Sequence, residues 1–245
     1  MHCRRTLVIT GAGVSAESGI PTFRGKEGYW RNLDPAKLAT PEAFEHDPKL
    51  VWEWYRERRQ RIRNARPNAA HDAIAQLAQQ ADEFLLVTQN VDDLHARAGV
   101  TNEKMVQIHG DIFVTRCSRC DLSRHDHEHE HESDDIDLPR CPRCSALMRP
   151  GVVWFGEQLP WGELRRVENY LERGPCDLVI VVGTTATFGY IIDWALHASA
   201  SNGQLIEVNP DETPLSQFAT RLVREPAGIA LPHLVDQLIA QSPKL

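Results

Sequence analysis

Four short apolar stretches recur along the chain, and each of them ends at small or polar residues. They span residues 7–10, 84–88, 178–182 and 205–208. Unbroken apolar stretches of this length are typical of strands that are buried on both faces, as in a parallel sheet. Helical periodicity lies between them and is clearest over residues 69–80, 163–173 and 190–200. This alternation predicts an α/β fold whose parallel sheet is covered by helices on both sides.

Glycines and polar side chains follow each predicted strand. Ligands of such sheets bind beyond the carboxyl ends of the strands, so we expect a nucleotide-sized site at this edge. After the first strand, Gly11 and Gly13 allow a tight turn that brings backbone N–H groups close to a pyrophosphate. Ala16 replaces the third glycine of the common dinucleotide fingerprint. Alone, this motif is therefore equally typical of a plain strand-to-helix turn.

Two Cys-x-x-Cys pairs interrupt the sheet pattern. They are Cys117 with Cys120 and Cys141 with Cys144, which gives the spacing C-x2-C-x20-C-x2-C. Two tight turns at this spacing present four thiolates to one tetrahedral Zn2+ ion, and an ion whose four positions are all filled by protein is structural. The alternative is a set of unrelated reduced thiols, which the exact pairing disfavours.

Alternating histidines and acids fill residues 125–132, between the two cysteine pairs. This segment has no hydrophobic periodicity, which indicates an inserted module outside the sheet. It could bind a second metal ion. A solvated loop explains the same composition and is the interpretation we favour.

The chain has 245 residues, of which 42% are hydrophobic and 25% charged, and its formal net charge is -7. This length suits one large domain with a small satellite, and the acidic balance disfavours a nucleic-acid partner. The apolar run at residues 7–9 is far too short for a signal peptide or a membrane span. A cytoplasmic protein without a membrane partner is expected, and the oligomeric state stays open.

Four further motifs stand at expected strand ends. They are Gln89-Asn90-Val91-Asp92, His109-Gly110, Gly183-Thr184-Thr185 and Asn209-Pro210-Asp211. With the glycine motif they resemble the sirtuin family, in the family's order, from residue 7 to about residue 238. The resemblance implies a single catalytic unit, a Rossmann-like doubly wound parallel sheet with a smaller zinc-binding domain. The large domain would comprise approximately residues 1–30, 68–112 and 153–245, and the small domain a helical part, 31–67, and a zinc ribbon, 113–152.

The resemblance implies that NAD is a co-substrate and meets an acyl-lysine protein or peptide between the two domains. The expected products are nicotinamide, free lysine and 2'-O-acyl-ADP-ribose. The catalytic residues implied are His109, as a base that takes a proton from a ribose hydroxyl, and Asn90. The cofactor-binding residues implied are Gly11, Ala12, Gly13, Ser15, Ala16, Phe23, Arg24, Gln89, Asn90, Asp92, His109, Gly183, Thr184, Thr185, Asn209, Asp211 and Ala227.

The peptide is expected to add as a strand between residues 151–157 and the segment near Phe188, where backbone hydrogen bonds give affinity without much sequence preference. The substrate-binding residues implied there are Val152, Val153, Phe155, Gly156 and Glu157. Two departures from the family pattern lie nearby. Thr185 replaces the more frequent Ser, and Phe188-Gly189-Tyr190 replaces a stretch of small residues and proline, so the peptide contacts at that stretch stay open.

Tyr55 and Arg58 lie three residues apart, on one face of a predicted helix. A guanidinium and a phenol together suit the carboxylate of a succinyl, malonyl or glutaryl group. This pair, together with Thr22, resembles the class III branch of the sirtuins, which favours acidic acyl groups. Trp52 and Trp54 would form an apolar mouth to the pocket. The neighbouring arginines are expected to form a solvated basic face; they are Arg59, Arg61, Arg63 and Arg66.

Two other functions use parts of the same sequence. A protein ADP-ribosyltransferase would cleave NAD without an acyl-lysine, and the pair Tyr55 and Arg58 disfavours it. A non-catalytic NAD-sensing regulator is suggested only by the basic helix and the zinc ribbon, and Asn90, Asp92 and His109 disfavour it. We therefore expect an NAD-dependent deacylase that holds one structural zinc ion.

Overall fold

The structure is a computed structural model that describes residues 5–22, 34–126, 138–200 and 203–240. Phe23 and Arg24, both expected to bind the cofactor, lie outside the described residues, and so does the His/Glu-rich segment beyond Asp126. None of the described helices combines the length and the apolar character needed to cross a membrane.

The described residues form two sheets and a set of helices. The strands are β1 (Arg5–Thr10), β2 (Glu83–Thr88), β3 (Met105–Gln107), β4 (Gly110–Cys117), β5 (Ser123–His125), β6 (Met148–Val152), β7 (Leu178–Val182), β8 (Gln204–Val208) and β9 (Arg221–Val223). The α-helices are α1 (Pro35–Leu38), α2 (Pro41–His46), α3 (Pro48–Asn64), α4 (Ala69–Gln80), α5 (Leu94–Arg97), α6 (Trp161–Leu171), α7 (Gly189–Ser199) and α8 (Ala227–Ala240).

The larger sheet has six strands in the order β3-β2-β1-β7-β8-β9, and all neighbours are parallel. The order runs outward in both directions from β1 and β7, which places the topological switch point between these two strands. The four predicted strands are confirmed to within two residues at either end. Of the three predicted helices, α4 has the expected bounds, and α6 and α7 begin two residues and one residue earlier.

Helices cover both faces of this sheet. On one face, α4 and α8 contribute Ile74, Leu77 and Leu234 to a core shared with the strands. On the other face, α6 and α7 contribute Val167 and Ile191. The central strands β1 and β7 are buried along their whole length, as expected for strands enclosed by two helical layers. The expected doubly wound α/β sheet is confirmed.

The smaller sheet is antiparallel, with the order β5-β4-β6. The cysteine pairs lie at the end of this sheet where β4 ends and β6 begins. The zinc ribbon is expected to begin at residue 113, and strand β4 begins slightly earlier, at Gly110. Helix α3 packs on this sheet through an aromatic core that includes Trp52, Trp54 and Trp154. The indole N–H of Trp52 donates to the carbonyl of Met148 at 3.0 Å. The helical segment and the ribbon therefore form one packed unit.

Arg59 joins α3 to the smaller sheet, contrary to the expectation that it belongs to a solvated face. Only 7% of this residue is exposed. Its Nε donates to the carbonyl of Ile112 at 2.6 Å, and Nη1 donates to Oδ2 of Asp126 at 2.6 Å. Nη2 donates to the carbonyl of Val114 at 3.1 Å and to Oγ1 of Thr115 at 3.0 Å. The expectation of solvation holds for the exposed Arg61, Arg63 and Arg66.

Replacement of Arg59 by Met should lower the free energy of unfolding by about 3 kcal/mol, because it leaves Asp126 and two strand carbonyls without their buried charged donor. Denaturant-induced unfolding, followed by circular dichroism, measures the loss. Arg61→Met, an exposed change on the same helix, is the matched control and should stay within about 0.5 kcal/mol of the unsubstituted protein. Equal stability of the two variants would contradict this role of Arg59.

Candidate active site

Two glycine loops meet at the switch point, beyond the carboxyl ends of β1 and β7. The N–H of Gly13 donates to the carbonyl of Gly183 at 2.8 Å. A Cβ at Gly183, whose φ is +62°, would lie 2.6 Å from the backbone N of Val14, and a Cβ at Gly13 would lie 2.8 Å from the Cα of Gly183. Side chains are therefore excluded here, and the loop that carries Ala12 can offer its backbone to a phosphate group.

A buried cluster joins this loop to the segment after β2. The hydroxyl of Ser15 donates to Oδ2 of Asp92 at 2.9 Å and accepts from Nδ2 of Asn90 at 3.1 Å. All three residues are less than a tenth exposed. Burial raises the pKa of Asp92, and the hydrogen bonds from Ser15 and from the N–H of Leu94 oppose the shift. The sequence motifs that carry these residues are thus brought together as expected.

Two histidines that the sequence analysis missed lie behind this cluster. Nε2 of His71 is 3.5 Å from the hydroxyl of Ser15, and the ring centroids of His71 and His95 are 4.8 Å apart. Burial lowers the pKa of His71 to about 4 and that of His95 well below its usual value, so both rings are neutral at pH 7. The signal for His71 was the N-cap Asn68, whose backbone N–H donates to the His71 ring at 3.3 Å.

His109 lies at the other side of the same edge. Its Nδ1 is 3.0 Å from the carbonyl of Gln89, which can only accept, so Nδ1 carries the proton. Nε2 is 2.7 Å from the hydroxyl of Tyr190. Burial lowers the pKa of His109, and the Gln89 carbonyl partly opposes this shift. The imidazole is therefore neutral near pH 7, with the lone pair of Nε2 directed at the Tyr190 hydroxyl.

The expected adenosine-side residues follow β7 and β8. Thr184 accepts from Nε2 of Gln89 at 2.9 Å through its hydroxyl and from Nδ2 of Asn209 at 2.6 Å through its carbonyl. Oδ1 of Asn209 accepts from the N–H of Asp211 at 3.1 Å. Thr185 lies beside them, partly exposed. These hydrogen bonds link the three strand ends into one rim.

Ala227 and Ala16 lie on a second part of this rim. Ala227 is the first residue of α8 and is buried in the core. The next residue, Gly228, donates its N–H to Oε2 of Glu17 at 2.5 Å. Ala16 precedes Glu17 and is exposed. The loop after β1 is therefore tied to the start of α8.

The expected peptide-binding segment, residues 151–157, begins in the last two residues of β6 and continues beyond it. Its main chain is partly used by the protein itself, since the N–H of Val153 donates to the carbonyl of His109 at 2.8 Å. Val152 is buried in the aromatic core, whereas Phe155 is 44% exposed and Gly156 is exposed too. The carboxylate of Glu157 accepts from the guanidinium of Arg149 at 2.5 and 2.9 Å. Phe155 and Gly156 thus present the accessible surface.

Tyr55 and Arg58 converge, as their spacing predicts. The guanidinium carbon of Arg58 lies 5.4 Å from the centroid of the Tyr55 ring, and the Tyr55 hydroxyl accepts from Nε1 of Trp154 at 3.0 Å. Burial lowers the pKa of Arg58, while the neighbouring Tyr55 hydroxyl and the charge of Asp92 oppose the shift. Burial likewise raises the pKa of Tyr55, which keeps its proton. The pair therefore lies within electrostatic reach of the Asp92 cluster.

The expected apolar mouth beside this pair is wrong. Trp52 and Trp54 are 4% and 2% exposed and belong to the core between α3 and the smaller sheet. The Trp54 ring packs edge-on against the Tyr55 ring at 4.6 Å between centroids. Both indoles lie on the buried side of α3, in the core and not at the entry to a pocket.

The four cysteines form one cluster in the smaller sheet. The Sγ atoms of Cys117 and Cys144 are 3.5 Å apart, and Sγ of Cys120 lies 3.6 Å from that of Cys141 and 3.8 Å from that of Cys144. The edge of a tetrahedron with Zn–S bonds of 2.3 Å is about 3.8 Å long. The donor set and these spacings fit one structural zinc ion.

Comparisons with known proteins agree with this geometry. The model of the Sir2 family matches residues 11–188. The chain is 46% identical over 229 residues to NAD-dependent protein deacylase 1 of Archaeoglobus fulgidus, covering 94% of this chain and 91% of that relative. It is 44% identical over 232 residues to the NAD-dependent protein deacylase of Aquifex aeolicus, covering 95% and 94%.

Solved structures give the same result. A triple mutant of Sir2 homologues in complex with 2'-O-acetyl ADP ribose has a TM-score of 0.89 and 42% identity, covering 98% of this chain and 94% of that chain. A Sir2 homolog in complex with NAD has a TM-score of 0.88 and 44% identity, covering 98% and 91%. These matches confirm the resemblance to the sirtuins and agree with its class III branch: the chain belongs to the Sir2 family.

Proposed function

We propose that this member of the Sir2 family is an NAD-dependent protein-lysine deacylase that removes succinyl, malonyl or related acidic acyl groups as well as acetyl groups. The observation that carries the proposal is the placement of three groups at one sheet edge. Asn90 and Asp92 share the Ser15 hydroxyl, and His109 is bound to the carbonyl of Gln89, next to Asn90 in the chain. Two of the curated relatives carry the name NAD-dependent protein deacylase.

The phosphate side of the site is formed by backbone. The contact between Gly13 and Gly183 keeps side chains away from the turn after β1, where a pyrophosphate can approach the main chain. After the next strand, β2, Asn90 and Asp92 are held by hydrogen bonds to Ser15, where they would orient the nicotinamide ribose and the carboxamide. Groups fixed in this way lower the entropic cost of aligning the two substrates.

When bound, NAD would supply a ribose carbon that becomes positively charged as nicotinamide leaves. The surrounding residues hold the acyl-amide oxygen of lysine against this carbon and exclude water from it. His109 then takes a proton from a ribose hydroxyl at Nε2, since Nδ1 is occupied by the Gln89 carbonyl. Its lowered pKa keeps Nε2 free of a proton at neutral pH.

The acyl group would end between Tyr55 and Arg58. Trp154 donates to the Tyr55 hydroxyl, and Arg58 lies against the same ring, so the hydroxyl keeps its own proton for an acceptor. A carboxylate at this point receives that proton as a hydrogen bond together with the charge of the guanidinium. An acetyl group offers no such anion, so it gains nothing from the pair.

The acyl-lysine peptide would lie along the exposed part of the segment after β6, at Phe155 and Gly156. Phe188, which is 39% exposed and approaches the His109 ring edge-on at 5.8 Å, borders the same opening. Exposed aromatic rings such as Phe155 and Phe188 suit the aliphatic stem of lysine.

His109→Ala should lower the rate of lysine deacylation by at least about a hundredfold, because the ribose hydroxyl loses its proton acceptor. NAD-dependent release of free lysine from an acetyl-lysine peptide, followed by mass spectrometry, measures the change. The control is His197→Ala, an exposed histidine on α7, which should stay within about twofold. Normal turnover by a folded His109→Ala variant would refute the assignment of the base.

Arg58→Met should lower kcat/KM for a succinyl-lysine peptide by about ten- to a hundredfold and leave that for the matched acetyl-lysine peptide within about threefold. Only the succinyl group carries a carboxylate, and this carboxylate loses its charge partner when Arg58 is replaced. Arg61→Met, three residues further along α3 and exposed, should change neither value. A parallel loss on both peptides would show that Arg58 supports the fold and not the choice of acyl group.

A further inference from the structure

The base atom of His109 is already occupied in this structure. Nδ1 of the imidazole faces the carbonyl of Gln89 at 3.0 Å, and Nε2 faces the hydroxyl of Tyr190 at 2.7 Å. Burial raises the pKa of Tyr190, so its hydroxyl stays protonated and donates. In a neutral imidazole with its proton on Nδ1, Nε2 has one lone pair in the plane of the ring. The Tyr190 proton therefore lies where a ribose hydroxyl would have to place its own.

Tyr190 is held in this position by ring packing and by no second hydrogen bond among the described contacts. Its ring is stacked on Phe188 at 5.5 Å with an interplanar angle of 12°, and Trp194 lies 4.9 Å away. Tyr190 is the second residue of α7, after Gly189, where a Cβ would meet nothing within 4 Å. The backbone beside Tyr190 at the start of the helix is therefore not crowded by other elements.

We propose that Tyr190 is a positioning residue that caps Nε2 of His109 in the free enzyme and is displaced from it by the ribose hydroxyl of the bound nucleotide. The proposal rests on the proposed role of His109 as the base. Before substrate arrives, Tyr190 holds the imidazole of His109 in place, with the lone pair of Nε2 turned toward the cleft. The nucleotide must then break one hydrogen bond to gain another, so the cap weakens nucleotide binding.

The groups that face His109 come from three packed segments. Tyr190 is the titratable group that faces His109 from α7. The segment after β2 contributes only the carbonyl of Gln89. The segment after β6 contributes the N–H of Val153, which donates to the His109 carbonyl. No charged side chain of the described residues is among the causes of the shift in the pKa of His109. The protonation state of the imidazole itself therefore sets the direction of the hydrogen bond with Tyr190.

The experiment is the affinity for ADP-ribose, measured by calorimetry across a range of pH with the full, zinc-loaded chain. Above the pKa of the imidazole, Tyr190→Phe should bind ADP-ribose about fivefold more tightly than the unsubstituted enzyme, since one net hydrogen bond no longer has to be broken. Below that pKa, Nε2 carries a proton and donates to the hydroxyl oxygen of Tyr190, so the contact persists with its direction reversed. Tyr190→Phe should therefore still bind ADP-ribose more tightly than the unsubstituted enzyme at low pH.

Three further variants separate the cap from packing and from the role of the base. Trp194→Phe alters the packing on Tyr190 without removing its hydroxyl and should leave the affinity within about twofold. In a His109→Ala background, Tyr190→Phe should have no effect beyond about twofold, because the acceptor of the cap is gone. Weaker or unchanged binding by Tyr190→Phe above the pKa of the imidazole, or an equal gain in the His109→Ala background, would overturn the cap. Normal deacylation by His109→Ala would instead overturn the proposed base.

Discussion

The hydroxyl group of Ser15 is the contact on which the geometry of the site depends. It donates to Asp92 and accepts from Asn90, so the turn after β1 and the segment after β2 are fixed to one another by a single oxygen. Both partners are buried, and a buried polar network of this kind is rigid only when each member is satisfied. His71 and His95, neutral behind it, close the cluster against the sheet.

The two parts of the fold contribute different chemistry to the cleft. The parallel sheet presents backbone groups and the residues proposed to bind the ribose at its switch point, and α3 carries the pair proposed to bind an acyl carboxylate. Arg58 and Arg59 are neighbours on that helix with separate tasks. Arg59 ties the helix to the smaller sheet through Ile112 and Asp126, and this anchoring lets Arg58 stand beside Tyr55 within reach of Asp92.

Local patterns in the sequence were sufficient for the strands, for α4 and for the cysteine cluster, because each depends on residues close in the chain or on fixed spacing. Arg59 was assigned to a solvated face, since its partners at residues 112 to 126 become neighbours only when the smaller sheet forms. Trp52 and Trp54 were misplaced for the same reason. The contact of Tyr190 with His109 joins residues 81 positions apart, and no periodicity or motif in the chain indicates it.

The cleft at Asn90, Asp92 and His109 is proposed to transfer an acyl group from lysine to the ribose of NAD. Mass spectrometry of all products formed from NAD and a succinyl-lysine peptide measures this transfer. We expect nicotinamide, unmodified lysine peptide and succinyl-ADP-ribose in equal amounts. A peptide that carries ADP-ribose, or NAD consumed without acyl transfer, would contradict it.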